Sequence, residues 1–283
     1  MTKIGISVII NTLNEEKYIK NCLESVKWAD EILLVDMYSE DKTVEIAKRY
    51  TDRILYYERI GYVEPARKFA FENTLNEWVL IVDADELVPK KLKERLIQIV
   101  EDDLGDIINI PHNNYFFGKQ MNGAGWGPLQ DKHHRFYKKT FVNLGNEIHS
   151  PLQIKDNARI YDIEDPEEGF IHFNYIDFEH FVEKMNNYTT IEAKNLYEDG
   201  KDINFKPLVK QLFNEFRLRY FNAGGRKDGF RGFSLSLIMV IYRLLTYSKL
   251  KLMRENNSKY PREKILEKYQ NIADEVISEY SDK

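Results

Sequence analysis

Cysteine is almost absent: Cys22 stands alone among 283 residues, so no disulfide within the chain can brace the fold. A chain without cysteine pairs suits a reducing cytoplasm. A membrane-spanning helix needs ~20 apolar residues, and the best candidate run, 233–245, is shorter and carries Arg243. It is therefore not expected to cross a bilayer. The opening MTKIGISVIINT places one lysine before a short apolar run, but Asn11 follows at once and no small-residue cleavage site is visible. It is expected to be a first strand and not an export signal. Internal repeats, low-complexity tracts and linkers rich in Pro, Gly or Ser are missing as well.

What is present suffices for an ordinary folded protein. With 43% hydrophobic residues, the chain can bury one large core, or a core with a smaller appended domain. Its net charge of -5 hides a sorting along the chain: residues 1–200 carry 24 Lys+Arg against 36 Asp+Glu, whereas residues 201–254 carry 12 against 3.

Short Val- and Ile-rich runs alternate with amphipathic stretches through the first hundred residues, a βαβ rhythm. Strands are predicted at 4–10, 31–35, 53–57 and 78–82, and helices at about 15–28, 42–51, 64–75 and 89–103. Nearly continuous apolar strands fit a parallel sheet covered on both faces. Right-handed crossovers bring every strand's C-terminal end to one edge, where open α/β sheets bind ligands. Three polar clusters follow those strands: Asn11-Thr12-Leu13-Asn14-Glu15, Asp36-Met37-Tyr38-Ser39 and Asp83-Ala84-Asp85-Glu86. From about 106 to 175, short strands, aromatics and glycines indicate a mixed-sheet extension. After Asp177 the apolar spacing is helical through 178–198, 205–221, 229–254 and 261–280.

Hard divalent cations such as Mg²⁺ and Mn²⁺ take one or two carboxylates plus substrate phosphates. Asp83 and Asp85, one residue apart beyond an apolar strand, supply that minimum. Alternatively, Asp85 or Glu86 begins the helix near Pro89 by favouring its N-terminal dipole. Asp36 precedes the expected cap at Ser39 or Asp41 by several residues, so capping does not explain it; it could accept from the N3–H of a pyrimidine or from ribose hydroxyls. Thr12, Asn14 and Glu15 offer hydroxyl, amide and carboxylate groups to a base, with Asn14 as a helix cap the competing reading.

Taken together, Ile6-Ser7-Val8-Ile9-Ile10-Asn11-Thr12-Leu13-Asn14-Glu15-Glu16, Glu31-Ile32-Leu33-Leu34-Val35-Asp36 with Ser39-Glu40-Asp41-Lys42-Thr43, and Asp83-Ala84-Asp85-Glu86 resemble the inverting family-2 glycosyltransferases of GT-A fold. Order and spacing match over about the first hundred residues. Pro65-Ala66-Arg67-Lys68-Phe69-Ala70 resembles the family's segment before the metal site, where a basic residue faces the diphosphate; asparagine often stands where this chain has Lys68. Ile110-Pro111-His112-Asn113-Asn114-Tyr115-Phe116-Phe117-Gly118, Gly125-Trp126-Gly127-Pro128, Asp131 to Arg135-Phe136-Tyr137, and Ile148-His149 are similar to the lipopolysaccharide-core β-1,4-glucosyltransferases. This chain departs from that group at His112, where arginine is frequent, by two residues inserted before Asp131, and at Ser150, where glutamate commonly follows the histidine.

The resemblance implies a Rossmann-like, mostly parallel sheet flanked by helices, with a mixed-sheet extension and a helical C-terminal region. The implied division is a nucleotide-sugar-binding half over 1–105, an acceptor-side half over 106–176 and the helical region over 177–283. It further implies transfer of a hexose from a nucleotide sugar, UDP-linked, with Mn²⁺ or Mg²⁺ held by Asp85 and Asp83. Thr12, Asn14, Glu15, Asp36 and Asp83 then line the nucleoside, Arg67 and Lys68 face the diphosphate, and His149 faces the diphosphate or completes the metal shell. Such a metal assists the leaving diphosphate, and a carboxylate takes the acceptor proton on the opposite face. Asp131 is the first choice for that base and Glu147 the reserve; a loop aspartate paired with Lys132 or Arg135 is the other reading of Asp131. The adjacent His133 and His134 suggest zinc, but neighbours on a strand point to opposite faces.

The run 233–245 lies among Arg217, Arg219, Arg226, Lys227, Arg231, Lys249, Lys251 and Arg254. The segment 217–254 is expected to lie on an anionic membrane surface, at the cytoplasmic face where a glycan or lipid-linked acceptor is met; a buried helix or a dimer contact is the alternative. No nucleic-acid module accompanies the basic stretch. Two rival functions are a sugar nucleotidyltransferase, which usually needs a glycine-rich loop that Asn11–Glu16 lacks, and a non-catalytic nucleotide-sugar-binding scaffold. Sugar, linkage and oligomeric state are not legible.

Overall fold

A computed structural model describes residues 4–59, 63–145 and 152–280. They fall into two compact units, Met1–Asn174 and Tyr175–Lys283.

The first unit is organised around strand β1 (Ile6–Thr12), all seven of whose residues are buried. Parallel neighbours flank it on both sides, β2 (Glu31–Asp36) and β4 (Trp78–Asp83), and the short β3 (Ile54–Tyr56) extends the sheet beyond β2. Side chains of a strand alternate between faces, so the continuous apolar run is divided between two layers. Val8 and Ile10 join Ile19, Cys22, Leu23 and Val26 of helix α1 (Ile19–Val26), while Ile9 packs with Ala66 and Ala70 of α3 (Glu64–Glu72). Helix α2 (Thr43–Ala47) links β2 to β3, and Leu92, Leu96 and Ile99 of α4 (Lys90–Glu101) join the α1 layer. The i, i+3, i+4 and i+7 spacing of these apolar positions is the reason each helix has one face to bury.

The first strand runs two residues further than its apolar pattern. Asn11 and Thr12 remain strand because parallel partners continue beside them, in register Asn11 with Asp83 and Thr12 with Asp36. Helix α1 correspondingly starts late, at Ile19. Asn14 adopts φ +59°, a left-handed conformation that breaks the helix and that Asn tolerates better than most residues. Asn14 does not cap α1, whose first residue follows Tyr18 without a side-chain cap; its Oδ1 accepts from the Glu40 amide at 2.8 Å. Glu86 likewise does not begin α4. It lies in a two-residue strand, β5 (Glu86–Leu87), and the helix begins at Lys90 after Pro89.

Beyond β4 the sheet turns antiparallel. Strands β6 (Ile107–Phe116) and β7 (Lys119–Gln120) precede β8 (Lys132–Lys138), which inserts between β4 and β6. Strands β9 (Val142–Asn143) and β10 (Gln153–Ile154) form a separate pair, β11 (Ile160–Asp162) lies beside β6, and β12 (Phe170–Tyr175) pairs with β5, His172 opposite Glu86. The order β3-β2-β1-β4-β8-β6-β12-β5 has a direct consequence. Because β8 runs antiparallel to β4, its N-terminal residues lie at the edge where β1, β2 and β4 end.

The second unit is helical: α5 (Phe178–Glu198), α6 (Phe205–Phe216), α7 (Gly229–Glu255) and α8 (Pro261–Ser278). The helical spacing seen through 205–221 continues past α6 as a π-helical turn, Arg217–Asn222. Gly232 is required where α7 begins, since a Cβ there would stand 1.8 Å from the Gly225 carbonyl oxygen. Ala193 of α5 and Leu250 and Met253 of α7 form one core cluster of the unit, whereas α8 buries none of its side chains. The stretch Gly225–Glu255 is long and apolar enough to cross a membrane by length and composition alone.

Candidate active site at the strand edge

Two loops at this edge are braced by carboxylates. Asp36 is fully buried and accepts from Thr12 Oγ1 (3.0 Å), the Ser39 amide (2.8 Å) and Ser39 Oγ (2.6 Å). The Asn14 amide donates to Ser39 Oγ and the Glu15 amide to Thr43 Oγ1, tying the loop after β1 to the loop after β2. Thr12, Asn14, Glu15 and Asp36 therefore come together, and Asp36 is occupied within the loop pair. Tyr38, 61% exposed at φ +59°, stacks on Tyr56 at 5.5 Å beside this pair.

Asn11, register partner of Asp83, holds a buried amide whose nitrogen and oxygen have no hydrogen-bond partner among the described residues. Such a group leaves a strong donor and acceptor unmet. Sequence places Asn11 in the first polar cluster but gives it no contact of its own, because it looks like the first loop residue.

Asp83 and Asp85, one residue apart, have different surroundings. Arg67 Nη2 donates to Asp83 Oδ1 and Arg135 Nη2 to Oδ2, both at 2.7 Å. The carboxylate is packed deep among its neighbours, yet 30% of the side chain stays exposed. Burial alone would push its pKa up, but Arg135 and Arg67 outweigh it and hold the group well below the ordinary carboxylate range. Lys68 does not join them; it faces Glu72 one turn along α3 at 3.9 Å. Glu86, wholly buried, accepts from the Asp83 amide at 2.9 Å and lies 3.6 Å from Arg135. Burial raises its pKa too, but Arg135 brings it down to about 2.

Asp85 has no lysine or arginine partner among the described residues; its neighbour is His172, with Nε2 3.6 Å from Oδ2. Burial disfavours the charged ring, but Asp85, with Glu86 and Asp83 behind it, raises the His172 pKa above the ordinary histidine value. His112 behaves oppositely. Its Nε2 lies 3.2 Å from Glu86 Oε1 without hydrogen-bond alignment, and burial wins, lowering its pKa.

Asp131 stands just before β8. Its Oδ2 accepts from Asn114 Nδ2 at 2.6 Å and its Oδ1 lies 2.8 Å from His133 Nε2. Neither cation weighed from sequence is its partner: Lys132 pairs with Glu164, and Arg135 with Asp83. Burial raises the Asp131 pKa, yet His133 and Asn114 hold it lowered, and the side chain is 24% exposed. Asn114 also binds His172, Oδ1 to Nδ1 at 2.8 Å. Glu147 and His149 lie outside the described residues.

Sequence gives His172 and Asn114 no role of their own, and it weighs Arg135 only as a partner for Asp131 and Glu86 only as the start of a helix. The signal for His172 was a lone histidine in an apolar strand, which is ordinarily structural; only its pairing opposite Glu86 brings it to Asp85. Next to the arginine pair, a cavity of about 440 Å³ is lined by Glu64, Arg67, Ile81, His133 and Arg135 among others.

A divalent cation would find oxygen and nitrogen donors here in Asp85 and His172. Among the described residues no three acidic, histidine or cysteine side chains form a closed cage. Two protein donors with phosphate oxygens to complete the shell match what Mg²⁺ and Mn²⁺ accept, so the residues fit such an ion.

A largely parallel α/β sheet with this acidic edge defines the class of protein, and comparison with known proteins defines the family. The family model for Glycosyl transferase family 2 matches residues 7–151, about half of the chain. An uncharacterised glycosyltransferase of Rickettsia typhi is 31% identical over 255 residues, covering 87% of this chain and 86% of that protein. The lipopolysaccharide core biosynthesis glycosyltransferase LpsC of Rhizobium meliloti is 27% identical over 263 residues, covering 88% and 92%. The S. aureus TarS structure with UDP-GlcNAc aligns over 97% of this chain and 92% of that one, at 18% identity and a TM-score of 0.46. The chain belongs to glycosyltransferase family 2. It is a glycosyltransferase, and its sheet has the mixed α/β form expected of the GT-A fold.

Because Asp83 and Glu86 titrate lower in the folded chain than in the unfolded one, the stability they contribute is present above about pH 4 and is lost as pH falls through their folded values, about 2 for Glu86. Arg135→Ala is expected to cost about 3–5 kcal/mol near neutral pH, and progressively less under acid. Urea denaturation across pH checks this; a loss independent of pH contradicts the arginine clamp.

Proposed function

We propose that the enzyme moves a hexose from a UDP-sugar to a glycan or lipid-linked acceptor of the cell envelope, with inversion and with Mn²⁺ or Mg²⁺. The observation that carries this reading is the convergence of Asp85, His172 and Asp131, from three separated segments, beside the arginine-bound Asp83. In it, Asp85 and His172 hold the cation, which supplies charge neutralisation for the departing diphosphate. Arg67 and Arg135 add positive charge at the same place, and each keeps a buried N–H without an acceptor among the described residues, Nε of Arg67 and Nη1 of Arg135. Asp83 keeps the two guanidinium groups in position. The unmet amide of Asn11 and the ring of Tyr38 offer contacts to the nucleoside, while Asp36, Thr12, Asn14 and Glu15 shape its loops.

Asp131 is ionised at neutral pH and partly exposed, so it can take the acceptor hydroxyl's proton as that oxygen attacks the anomeric carbon. The envelope acceptor rests on the likeness to LpsC, whose name places that protein in lipopolysaccharide core synthesis. Asp85→Ala and Asp131→Asn should each lower transfer from a UDP-hexose by at least about 100-fold without lowering the melting temperature, and only Asp85→Ala should abolish Mn²⁺-dependent UDP binding. Undiminished Mn²⁺-dependent turnover by Asp85→Ala would sink the proposal.

The second unit supports action at a membrane. Phe230, Phe233, Leu237, Ile241 and Leu244 form an exposed stripe at helical spacing along α7, and Phe205, Val209 and Phe213 form another on α6. Contiguous exposed apolar surface marks an interaction site. Arg217, Arg226 and Lys227 are exposed in the same segment, which matches an anionic lipid surface. Arg243 lies within the apolar window of α7, which favours a helix lying in the interface over one that spans. Replacing Arg226 and Lys227 by Gln should weaken binding to phosphatidylglycerol vesicles about 30-fold, from ~1 kcal/mol per cation. Equal binding of the native chain to phosphatidylcholine vesicles contradicts an anionic partner.

A further inference from the structure

Asn114 is fully buried in β6 and stands between the two halves of the site. The mechanism above gives it no chemistry, yet its side-chain amide hydrogen-bonds both Asp131 and His172. Its nitrogen has two N–H bonds, and the nearest groups are the Asp131 carboxylate at 2.6 Å and the Trp126 carbonyl at 3.2 Å. Carbonyls and ionised carboxylates only accept. Turning the amide over would set its oxygen against both, so the orientation is determined by the partners themselves.

A consequence reaches His172. The Asn114 oxygen is left facing His172 Nδ1 at 2.8 Å, and a carbonyl oxygen can only accept, so Nδ1 carries the hydrogen. In a neutral imidazole the lone pair then belongs to Nε2, the atom that stands 3.6 Å from Asp85 Oδ2. One side chain therefore orients a carboxylate through its nitrogen and selects a histidine tautomer through its oxygen.

We propose that Asn114 is a positioning residue that couples the two halves of the reaction: it aims Asp131 at the acceptor and keeps the His172 Nε2 lone pair turned toward Asp85, where a cation is held. This rests on the assignment of Asp131 as base and of Asp85 with His172 as cation ligands. Groups that hydrogen-bond a ligating histidine and fix its orientation usually change metal affinity about 10- to 100-fold when removed. Loss of the nitrogen alone acts on Asp131 alone.

Two variants separate the roles. Asn114→Asp keeps an oxygen toward His172 but sets a second carboxyl against Asp131, where the pair shares one proton and Asp131 is no longer a free base; Asn114→Ala removes both contacts. Imidazole nitrogen spectra of the native protein, taken above the pH at which the His172 ring is seen to lose its charge, should show the neutral ring protonated on Nδ1. Asn114→Asp should retain that tautomer and bind Mn²⁺ with UDP within about 3-fold of native, while its kcat falls at least about 100-fold and its donor KM changes little. Asn114→Ala should show mixed tautomers and Mn²⁺ binding about 10- to 100-fold weaker. Asp131→Asn is assayed beside them. If it is inactive while both Asn114 variants keep native kcat, tautomer and Mn²⁺ affinity, the coupling is wrong and the base assignment stands. If Asp131→Asn is active, the base assignment falls, and with it the Asp131 half of the coupling; the tautomer and Mn²⁺ results still decide the His172 half. A native His172 that, once neutral, carries its proton on Nε2 overturns the proposal without any variant.

Discussion

Everything at the site depends on the pairing of β1 with parallel neighbours on both sides, held in register to its last residues. Thr12 opposite Asp36 and Asn11 opposite Asp83 bring two loops, 47 positions apart at those aspartates, to the end of one strand. Parallel strands require long crossovers, and here α1, α2 and α3 provide them while covering both faces. A strand buried on both faces cannot slip by a residue without turning its apolar side chains toward the wrong layer. The register is therefore determined by packing, and the site inherits its precision from the core.

A second constraint is charge. Asp83, Asp85, Glu86 and Asp131 crowd one edge, and like charges in such a place would drive some of them to protonate. Arg67 and Arg135 prevent this for Asp83 and Glu86 by direct contact. Asp85 is left to His172, and Asp131 to Asn114 and His133. Four carboxylates with four different sets of partners can carry different duties, although three of them, Asp83, Asp85 and Glu86, lie within four positions of the chain.

The first hundred residues were legible because their signals are local. Apolar runs marked the strands, periodic spacing marked the helices, and the polar residues after each strand marked the edge. The boundaries that moved did so for tertiary reasons: Asn11 and Thr12 stay in β1 because β2 and β4 continue alongside, and α1 waits for Ile19 because Asn14 turns left-handed. What could not be read was pairing across distance. That Arg135 reaches Asp83 depends on β8 inserting antiparallel between β4 and β6, and that His172 reaches Asp85 depends on β12 meeting the two-residue β5. Neither event leaves a mark in composition or spacing. The contrast between Arg67, which binds Asp83, and Lys68, which faces Glu72, similarly depends on which way α3 is rotated.

The central claim is that residues from separate strands hold one cation-bearing nucleotide, and electron–nuclear double resonance of Mn²⁺ bound with UDP tests it most directly. The account predicts that the same Mn²⁺ ion couples to phosphorus of the diphosphate and to a single histidine nitrogen, the latter lost in His172→Ala. A Mn²⁺ spectrum with phosphorus coupling but no protein nitrogen, or with a nitrogen that survives His172→Ala, would contradict it.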